Sequence, residues 1–106
     1  MKKGTVILIP FPFTDLRGSK IRPAVVLSKN DLDVTICFIT SAFKWQTEYD
    51  VTVFPSESNG LKAPSLIRTG KIATIDFSLV LGELGELFNV EIAELNKALK
   101  KLLQLW

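Results

Sequence analysis

The sequence predicts a mostly β domain, in which short antiparallel strands curl into a small barrel and one helix follows at the C-terminal end. Short β-branched apolar segments recur along the first three quarters of the chain, and Pro, Gly, Asn and Asp residues separate them. Residues 89–106 instead carry apolar side chains at helical spacing. Neither an internal repeat nor an interdomain linker interrupts this order, so we expect a single domain over residues 1–106.

The first forty residues predict three strands. The first covers residues 4–9, and the prolines and the glycine after it predict a long loop at 11–22. The second and third strands cover residues 23–28 and 34–40, on either side of a turn at 29–31.

The middle of the chain predicts shorter strands. Apolar and polar side chains alternate in part over residues 48–54, which is the period of a half-buried strand. Residues 55–64 form a loop rich in Pro, Ser, Asn and Gly. Residues 65–68 and 71–77 are then two short strands, or one strand that is bent or bulged at Gly70.

A terminal amphipathic helix follows. Asn89 is the expected N-cap, and Glu91 suits the first turn, where a carboxylate meets the positive end of the helix dipole. The apolar face consists of Ile92, Leu95, Leu99, Leu102, Leu103 and Trp106. We expect Leu95, Leu99, Leu102 and Leu103 on this face to pack into the core rather than to form a groove for a partner.

Chain length and composition limit the classes of protein to which this sequence can belong. A chain of 106 residues, 47% of them hydrophobic, can bury a core without a metal or a disulfide, and Cys37 in its apolar run predicts a buried structural thiol. A domain this small leaves much apolar surface in water, which favours a homodimer. No apolar stretch approaches the roughly 20 residues that span a bilayer, and the N-terminus lacks a signal peptide, so we expect no membrane association and a cytoplasmic protein.

Charge is unevenly distributed along the chain. The formal net charge is only +2, but residues 1–30 carry six basic side chains and one acidic side chain. The remainder carries seven basic and ten acidic side chains. The cationic segment is either one face of a polyanion-binding surface or an ordinary solvated loop.

The residue types present exclude several kinds of chemistry. With no histidine and one cysteine, the chain cannot assemble a zinc site of the usual ligands, and it has no histidine for acid–base catalysis. The phosphate-binding motifs GxxxxGK[ST] and GxGxxG are also missing from the sequence, and no cofactor is expected. Arginine, lysine, hydroxyl and carboxylate chemistry remains.

Cleavage of RNA is a reaction that suits these groups. RNA carries its own nucleophile, because its 2′-hydroxyl can attack the adjacent phosphorus and leave a cyclic phosphate and a free 5′-hydroxyl. The protein need only align the groups, help to move protons and stabilise negative charge on phosphorus. Arginine suits the last task, since its planar fork of donors matches two phosphate oxygens.

Four segments together resemble the MazF/PemK toxin family. Residues 6–15 (VILIPFPFTD) and 18–28 (GSKIRPAVVLS) are similar to its opening strand, loop and second strand. Residues 38–41 (FITS) resemble the end of its next strand, and residues 71–76 (KIATID) resemble the segment before its terminal helix. The resemblance covers nearly the whole chain in the right order.

This resemblance implies a fold and an activity. The fold would be an SH3-like barrel, and the dimer would form an RNA groove from both subunits. The activity would be metal-independent cleavage of single-stranded RNA at short sequences. The partner would be a small cognate antitoxin that neutralises the toxin.

Two residues carry the catalytic hypothesis. Arg22 matches the arginine of the family's Arg-Pro pair, which implies phosphate stabilisation and proton transfer; the alternative is a loop end with a surface ion pair. Thr40 matches a strand-end threonine whose hydroxyl can bond a phosphate oxygen or orient the attacking group, although strand preference alone also explains a threonine there. Ser41 would assist beside it.

The later segment supplies further substrate contacts. Arg68 is either a second phosphate contact or the partner of a carboxylate, and Lys71 would also contact the substrate. Gly70 departs from the family, because several members carry an acidic residue there, and the first loop has no histidine where some members have one. The resemblance therefore does not assign the proton-transfer partner.

The first loop and the segment after the third strand would select bases. Ser19 and Lys20 in that loop, with Lys44 and Trp45, can form groove walls in which a base stacks on the ring while lysines meet phosphates. Trp45 is alternatively a core or dimer-interface residue. Residues 10–13 (PFPF) are expected to pack the loop rather than to bind substrate.

Two rival functions use the same fold. One is a non-enzymatic toxin that binds a topoisomerase through its C-terminus, as CcdB-like proteins do, and Trp106 at the end of the chain keeps this alternative open. The other is a catalytically weakened RNA-binding member, suggested by Gly70.

Overall fold

The computed structural model describes residues 1–11 and 20–105 and shows a curled antiparallel sheet with one helix after it. The sheet has six strands in the order β4-β5-β3-β2-β1-β6. The elements are β1 Thr5–Phe11, β2 Lys20–Lys29, β3 Asp33–Thr40, β4 Val51–Val53, β5 Ser65–Asp76, a 3-10 turn Phe77–Leu79, β6 Gly82–Glu86 and α1 Asn89–Leu103. The mostly β class and the terminal helix predicted from the sequence are thus confirmed.

Side-chain alternation divides the core between the two faces of the sheet. In β3, Cys37 and Ile39 face one apolar cluster, which the helix covers through its fully buried Leu95. Ile36 lies in a second cluster on the other face, with residues of β1, β2 and β5. The main members of both clusters are buried, and Cys37 is buried as predicted.

Strand residues occupy both ends of the segment that the sequence predicts as the first loop, residues 11–22. β1 continues to Phe11 and β2 begins at Lys20, and these two residues are paired across the strands. Arg22 is therefore a strand residue, opposite Ile9, and not the end of a loop. Cross-strand pairing extends both strands toward residues 12–19, and the rest of the predicted loop lies outside the described residues.

Two other strands differ from their predictions. The fourth strand is confined to Val51–Val53, where the apolar alternation is complete, rather than 48–54. β6, Gly82–Glu86, was not predicted, because its two glycines and two glutamates have low strand preference. Its pairing with β1 is a tertiary contact that decides the conformation.

The sequence allowed either two short strands over residues 65–77 or one strand bent or bulged at Gly70, and the structure confirms the single bulged strand. Residues 65–76 form a single strand whose pairing with β3 shifts between Cys37, opposite Ile72, and Phe38, opposite Arg68. Thr69–Lys71 are the extra residues, and Gly70 is among them.

The N-cap of the helix lies one residue earlier than the sequence predicts. Phe88, and not Asn89, is the N-cap, and its N–H donates to Oε1 of Glu91 at 2.7 Å. Gln104 ends the helix in the left-handed region with φ of 56°. No helix in residues 1–11 and 20–105 is long and apolar enough to cross a membrane.

Candidate active site

Two adjoining cavities meet at Arg22 and Thr40. A larger cavity of about 470 Å³ and a smaller one of about 340 Å³ have both side chains, together with Ile39, in their linings. The two residues that carried the catalytic hypothesis are therefore brought to one place.

Strand pairing explains why these two side chains meet. Ala24 of β2 pairs with Phe38 of β3, and Arg22 and Thr40 each lie two residues beyond that pair on antiparallel strands. Because side chains two residues apart share a face of the sheet, both project on the same side as Ala24 and Phe38. Arg22 is exposed and Thr40 is half-buried at this rim of the sheet.

A local turn orients the hydroxyl group of Thr40. The N–H of Ala42 donates to Oγ1 of Thr40 at 3.1 Å, directly after the strand ends. Since this bond uses a lone pair of the oxygen, the hydroxyl hydrogen stays available for donation. Ser41, between these residues, lines the larger cavity and is exposed.

The smaller cavity is cationic and aromatic. Arg22, Arg68 and Lys71 contribute three positive charges, and the described part of its lining contains no carboxylate. The bulge of β5 places both Arg68 and Lys71 there, although they are three residues apart.

Two phenylalanine rings form an aromatic wall of this cavity. Phe11 and Phe38 meet edge to face with ring centroids 5.3 Å apart, and Phe11 is 46% exposed. The expectation that Phe11 packs a loop missed this placement. Only the extension of β1, which the sequence does not signal, brings the ring beside Arg22.

The larger cavity is walled mainly by apolar side chains and by the loop before β5. Buried Asn59 organises that loop, because its Nδ2 donates to the Phe54 carbonyl at 2.9 Å and its Oδ1 accepts from the Leu61 N–H at 2.9 Å. A Cβ at Gly85 would stand 1.9 Å from the Ser58 carbonyl oxygen, so the loop approaches β6 more closely than any larger residue allows. Lys62 adds a cation at the mouth.

Arg68 combines the two roles that the sequence left open. Its Nε donates to Oδ1 of Asp50 at 3.2 Å, and the same side chain lines the smaller cavity. The Asp50 side chain is 1% exposed and the Arg68 side chain 19% exposed. Asp50 was not predicted as a site residue, because nothing in the local sequence links it to Arg68.

Three predicted site residues lie outside the two cavities. Lys20 is exposed in β2 and, with Lys44 and Trp45, lies outside the described linings of both cavities. Lys44 places its ammonium 5.1 Å from the centre of the Trp45 ring, which is 71% exposed, so this pair is a surface feature and Trp45 is not a core residue of the subunit. Ser19 lies outside the described residues.

The remaining reactive groups are not arranged as a metal or nucleophile site. Within residues 1–11 and 20–105, no three Cys, Asp or Glu side chains are grouped to hold a metal ion. Burial raises the pKa of the Cys37 thiol to about 12, so the sulfur is protonated at neutral pH.

Comparison with a model of a protein family shows to which family this chain belongs. The model of PemK-like, MazF-like toxins of type II toxin–antitoxin systems matches residues 2–103. The chain belongs to this family. No curated protein sequence matches it at a significant level.

Solved MazF structures share the fold. The Mycobacterium tuberculosis toxin MazF-mt6 superposes with a TM-score of 0.78 at 20% identity, over 96% of this chain and 98% of the other. A mycobacterial endoribonuclease in complex with its cognate antitoxin gives 0.77 at 22% identity, over 100% and 97%. A MazE-MazF complex from Deinococcus radiodurans gives 0.76 at 24% identity, over 100% and 98%. The SH3-like barrel expected from the resemblance is therefore the fold of this MazF-like chain.

Proposed function

We propose that this toxin is a metal-independent endoribonuclease that cleaves single-stranded RNA by attack of a 2′-hydroxyl, leaving a cyclic phosphate and a 5′-hydroxyl. The observation that carries the proposal is the meeting of Arg22 and Thr40 on adjacent strands, at the junction of two cavities. Family membership and the mycobacterial endoribonuclease with the same fold support it.

Arg22 is the group that stabilises charge on the phosphorane. Its guanidinium is exposed at the rim of the sheet, where two of its N–H groups can meet two non-bridging oxygens. Charge on those oxygens grows as the 2′-oxygen attacks, so the bonds strengthen in the transition state and accelerate the reaction. In this proposal Arg22 also donates a proton to the 5′-oxygen as its bond to phosphorus breaks, as the matching family arginine implies. The 2′-hydroxyl releases its proton to solvent water, and solvent returns a proton to the guanidine, so the two transfers balance.

Thr40 donates its hydroxyl hydrogen to the same phosphate. The Ala42 N–H holds the oxygen in place, which leaves the hydrogen free for an oxygen of the substrate. Ser41 extends this contact into the larger cavity.

The two cavities suit single-stranded RNA on both sides of the scissile bond. The smaller one offers Arg68 and Lys71 to an adjacent phosphate and the rings of Phe11 and Phe38 to a base. The larger, more apolar one accepts a second base. Lys20, Lys44 and Trp45 extend the cationic surface beyond these cavities, and Ser19 would contribute from the first loop.

The partners proposed are a second copy of this chain and a cognate antitoxin. A homodimer would continue the groove across two subunits. Neutralisation by an antitoxin is supported by the structures of a mycobacterial endoribonuclease and a Deinococcus MazF in such complexes. RNA as the substrate places the activity in the cytoplasm, and the chemistry needs no cofactor.

Incubation with a long single-stranded transcript in excess EDTA tests the proposal. We expect fragments that polynucleotide kinase labels at the 5′ end without prior phosphatase treatment, because the 5′-hydroxyl is free. Arg22→Ala should reduce the cleavage rate by about 100-fold or more, as the loss of a charge-stabilising donor does. Lys97→Ala, which removes an exposed cation on the helix, is the matched control and should cleave normally.

The same assay separates the rival functions. RNA binding without cleavage by the wild type would indicate a weakened RNA-binding member. Neither binding nor cleavage would contradict the nuclease and favour the topoisomerase-binding alternative, whose key residue Trp106 lies outside the described residues. Cleavage that requires added divalent metal would contradict the proposed mechanism.

A further inference from the structure

The strongest feature outside the catalytic pair is the buried carboxylate of Asp50. Its two oxygens serve two different donors: Oδ1 accepts from Nε of Arg68 at 3.2 Å, and Oδ2 accepts from the N–H of Thr47 at 2.8 Å. Only 1% of this side chain is exposed. A single buried group therefore joins a cation of the cavity to the segment that follows β3.

We propose that Asp50 is a positioning residue that holds the Arg68 guanidinium toward the scissile phosphate and fixes the loop bearing Lys44 and Trp45. The inference rests on the proposed ribonuclease function and extends it to a residue outside both of the cavities at Arg22.

The geometry of the ion pair leaves the useful edge of the guanidinium open. Asp50 engages Arg68 through Nε, so the outer edge formed by the two Nη groups is available to a phosphate. Arg68 remains 19% exposed and lines the smaller cavity with Arg22 and Thr40. Because Asp50 already restrains the Arg68 guanidinium through Nε, the side chain loses less conformational entropy when it binds the substrate.

The other oxygen of Asp50 closes the turn at residues 47–50, which ends the loop that carries Lys44 and Trp45. The N–H of Asp50 donates to the Thr47 carbonyl at 3.2 Å while the Thr47 N–H donates to the Asp50 carboxylate, so each residue binds the other's backbone. The loop and Arg68 thus share one anchor. A change at this anchor should alter both the rate of cleavage and the choice of cleavage sites.

A second contact joins the same two segments independently of the Asp50 side chain. The Thr69 hydroxyl donates to the Tyr49 carbonyl, and each of these residues is the chain neighbour of a member of the ion pair. Lys101 of the helix also pairs with Glu48 at 3.5 Å. Buried ion pairs add little net stability after their desolvation cost, which is consistent with a role in geometry.

Asp50→Asn tests the inference, because an amide has one accepting oxygen and cannot satisfy both donors. We expect kcat/KM for cleavage of a mapped site in the transcript to fall about tenfold, as for the loss of a charged hydrogen bond, with altered relative cleavage of other sites. Affinity for a 2′-O-methyl copy of that site should also fall. Removing a negative charge near RNA would ordinarily raise affinity, so tighter binding or faster cleavage would overturn the inference.

A double-variant comparison separates positioning from a merely structural role. If Asp50 acts through Arg68, then Asp50→Asn/Arg68→Gln has the same kcat/KM as Arg68→Gln alone, because without Arg68 the amide oxygen at position 50 has only the Thr47 N–H to serve and still closes the loop. A further loss would overturn the inference. This comparison also holds if Asp50→Asn alone fails to fold, because the double variant leaves no unpaired buried cation. Asp31→Asn, an exposed carboxylate in a turn, is the matched control and should retain full activity.

Failure of the inference and failure of the proposed function give different results. A wild type that cleaves in EDTA, with an Asp50→Asn variant that behaves as Asp31→Asn does, would overturn the inference alone. A wild type that neither binds nor cleaves RNA would overturn both.

Discussion

Arg22 and Thr40 stand at equivalent positions on adjacent antiparallel strands, two residues past the pair formed by Ala24 and Phe38. Both residues line the same two cavities. Because strands rather than loops carry both residues, the relative position of their backbones is set before substrate binds, which favours the proposed stabilisation of the transition state by charge.

Thr40→Val should lower the cleavage rate by about 10- to 100-fold, because a donor to the phosphate is lost. Thr40→Ser keeps both the donated hydrogen and the oxygen that accepts from the Ala42 N–H, so it should retain most of the activity. Single-turnover cleavage of one transcript compares the cleavage rates of the wild type, Thr40→Val and Thr40→Ser. Equal rates for Val and Ser would contradict a role for the hydroxyl.

RNA affinity should fall steeply with added salt. If Arg22, Arg68 and Lys71 each neutralise one phosphate, the plot of log association constant against log salt has a slope of about −2, since each single-strand contact contributes about −0.7. Fluorescence anisotropy with a 2′-O-methyl strand measures it. A flat titration would contradict phosphate binding in the smaller cavity.

Leu95→Ala should reduce the free energy of unfolding by about 2–5 kcal/mol, because it opens a cavity in the cluster between the helix and the sheet. Leu103→Ala in the same helix removes a side chain that is 52% exposed and should change it by less than about 0.5 kcal/mol. Urea denaturation compares them. Similar values would show that the helix does not pack as described.

Cys37 should resist alkylation in the folded protein. Burial raises the pKa of the thiol to about 12, so at pH 8 the reactive thiolate is scarce, and the sulfur is also shielded from reagent. Iodoacetamide should modify the Cys37 thiol only in denaturant. Mass spectrometry of the treated protein measures the extent of modification. Rapid labelling of the folded protein at pH 8 would contradict the described core.

Local features of the sequence, which are the spacing of apolar residues and the positions of turn residues, predict most of the fold. The four segments that resemble the MazF/PemK family predict the site residues. Helical spacing located α1, and turn residues located most strands. What the sequence could not supply depends on pairing between distant segments: β6 forms because β1 offers an edge, and Arg22 is a strand residue because Ile9 lies opposite. For the same reason Asp50 was missed, since its partner Arg68 is eighteen residues away.

The most direct test of the central claim is a double-mutant cycle on kcat/KM with Arg22→Ala, Thr40→Val and the combined variant. If both side chains act on one phosphate, their effects are coupled, and the double variant is little slower than Arg22→Ala. Effects that multiply, or wild-type rates in Arg22→Ala, would contradict the account.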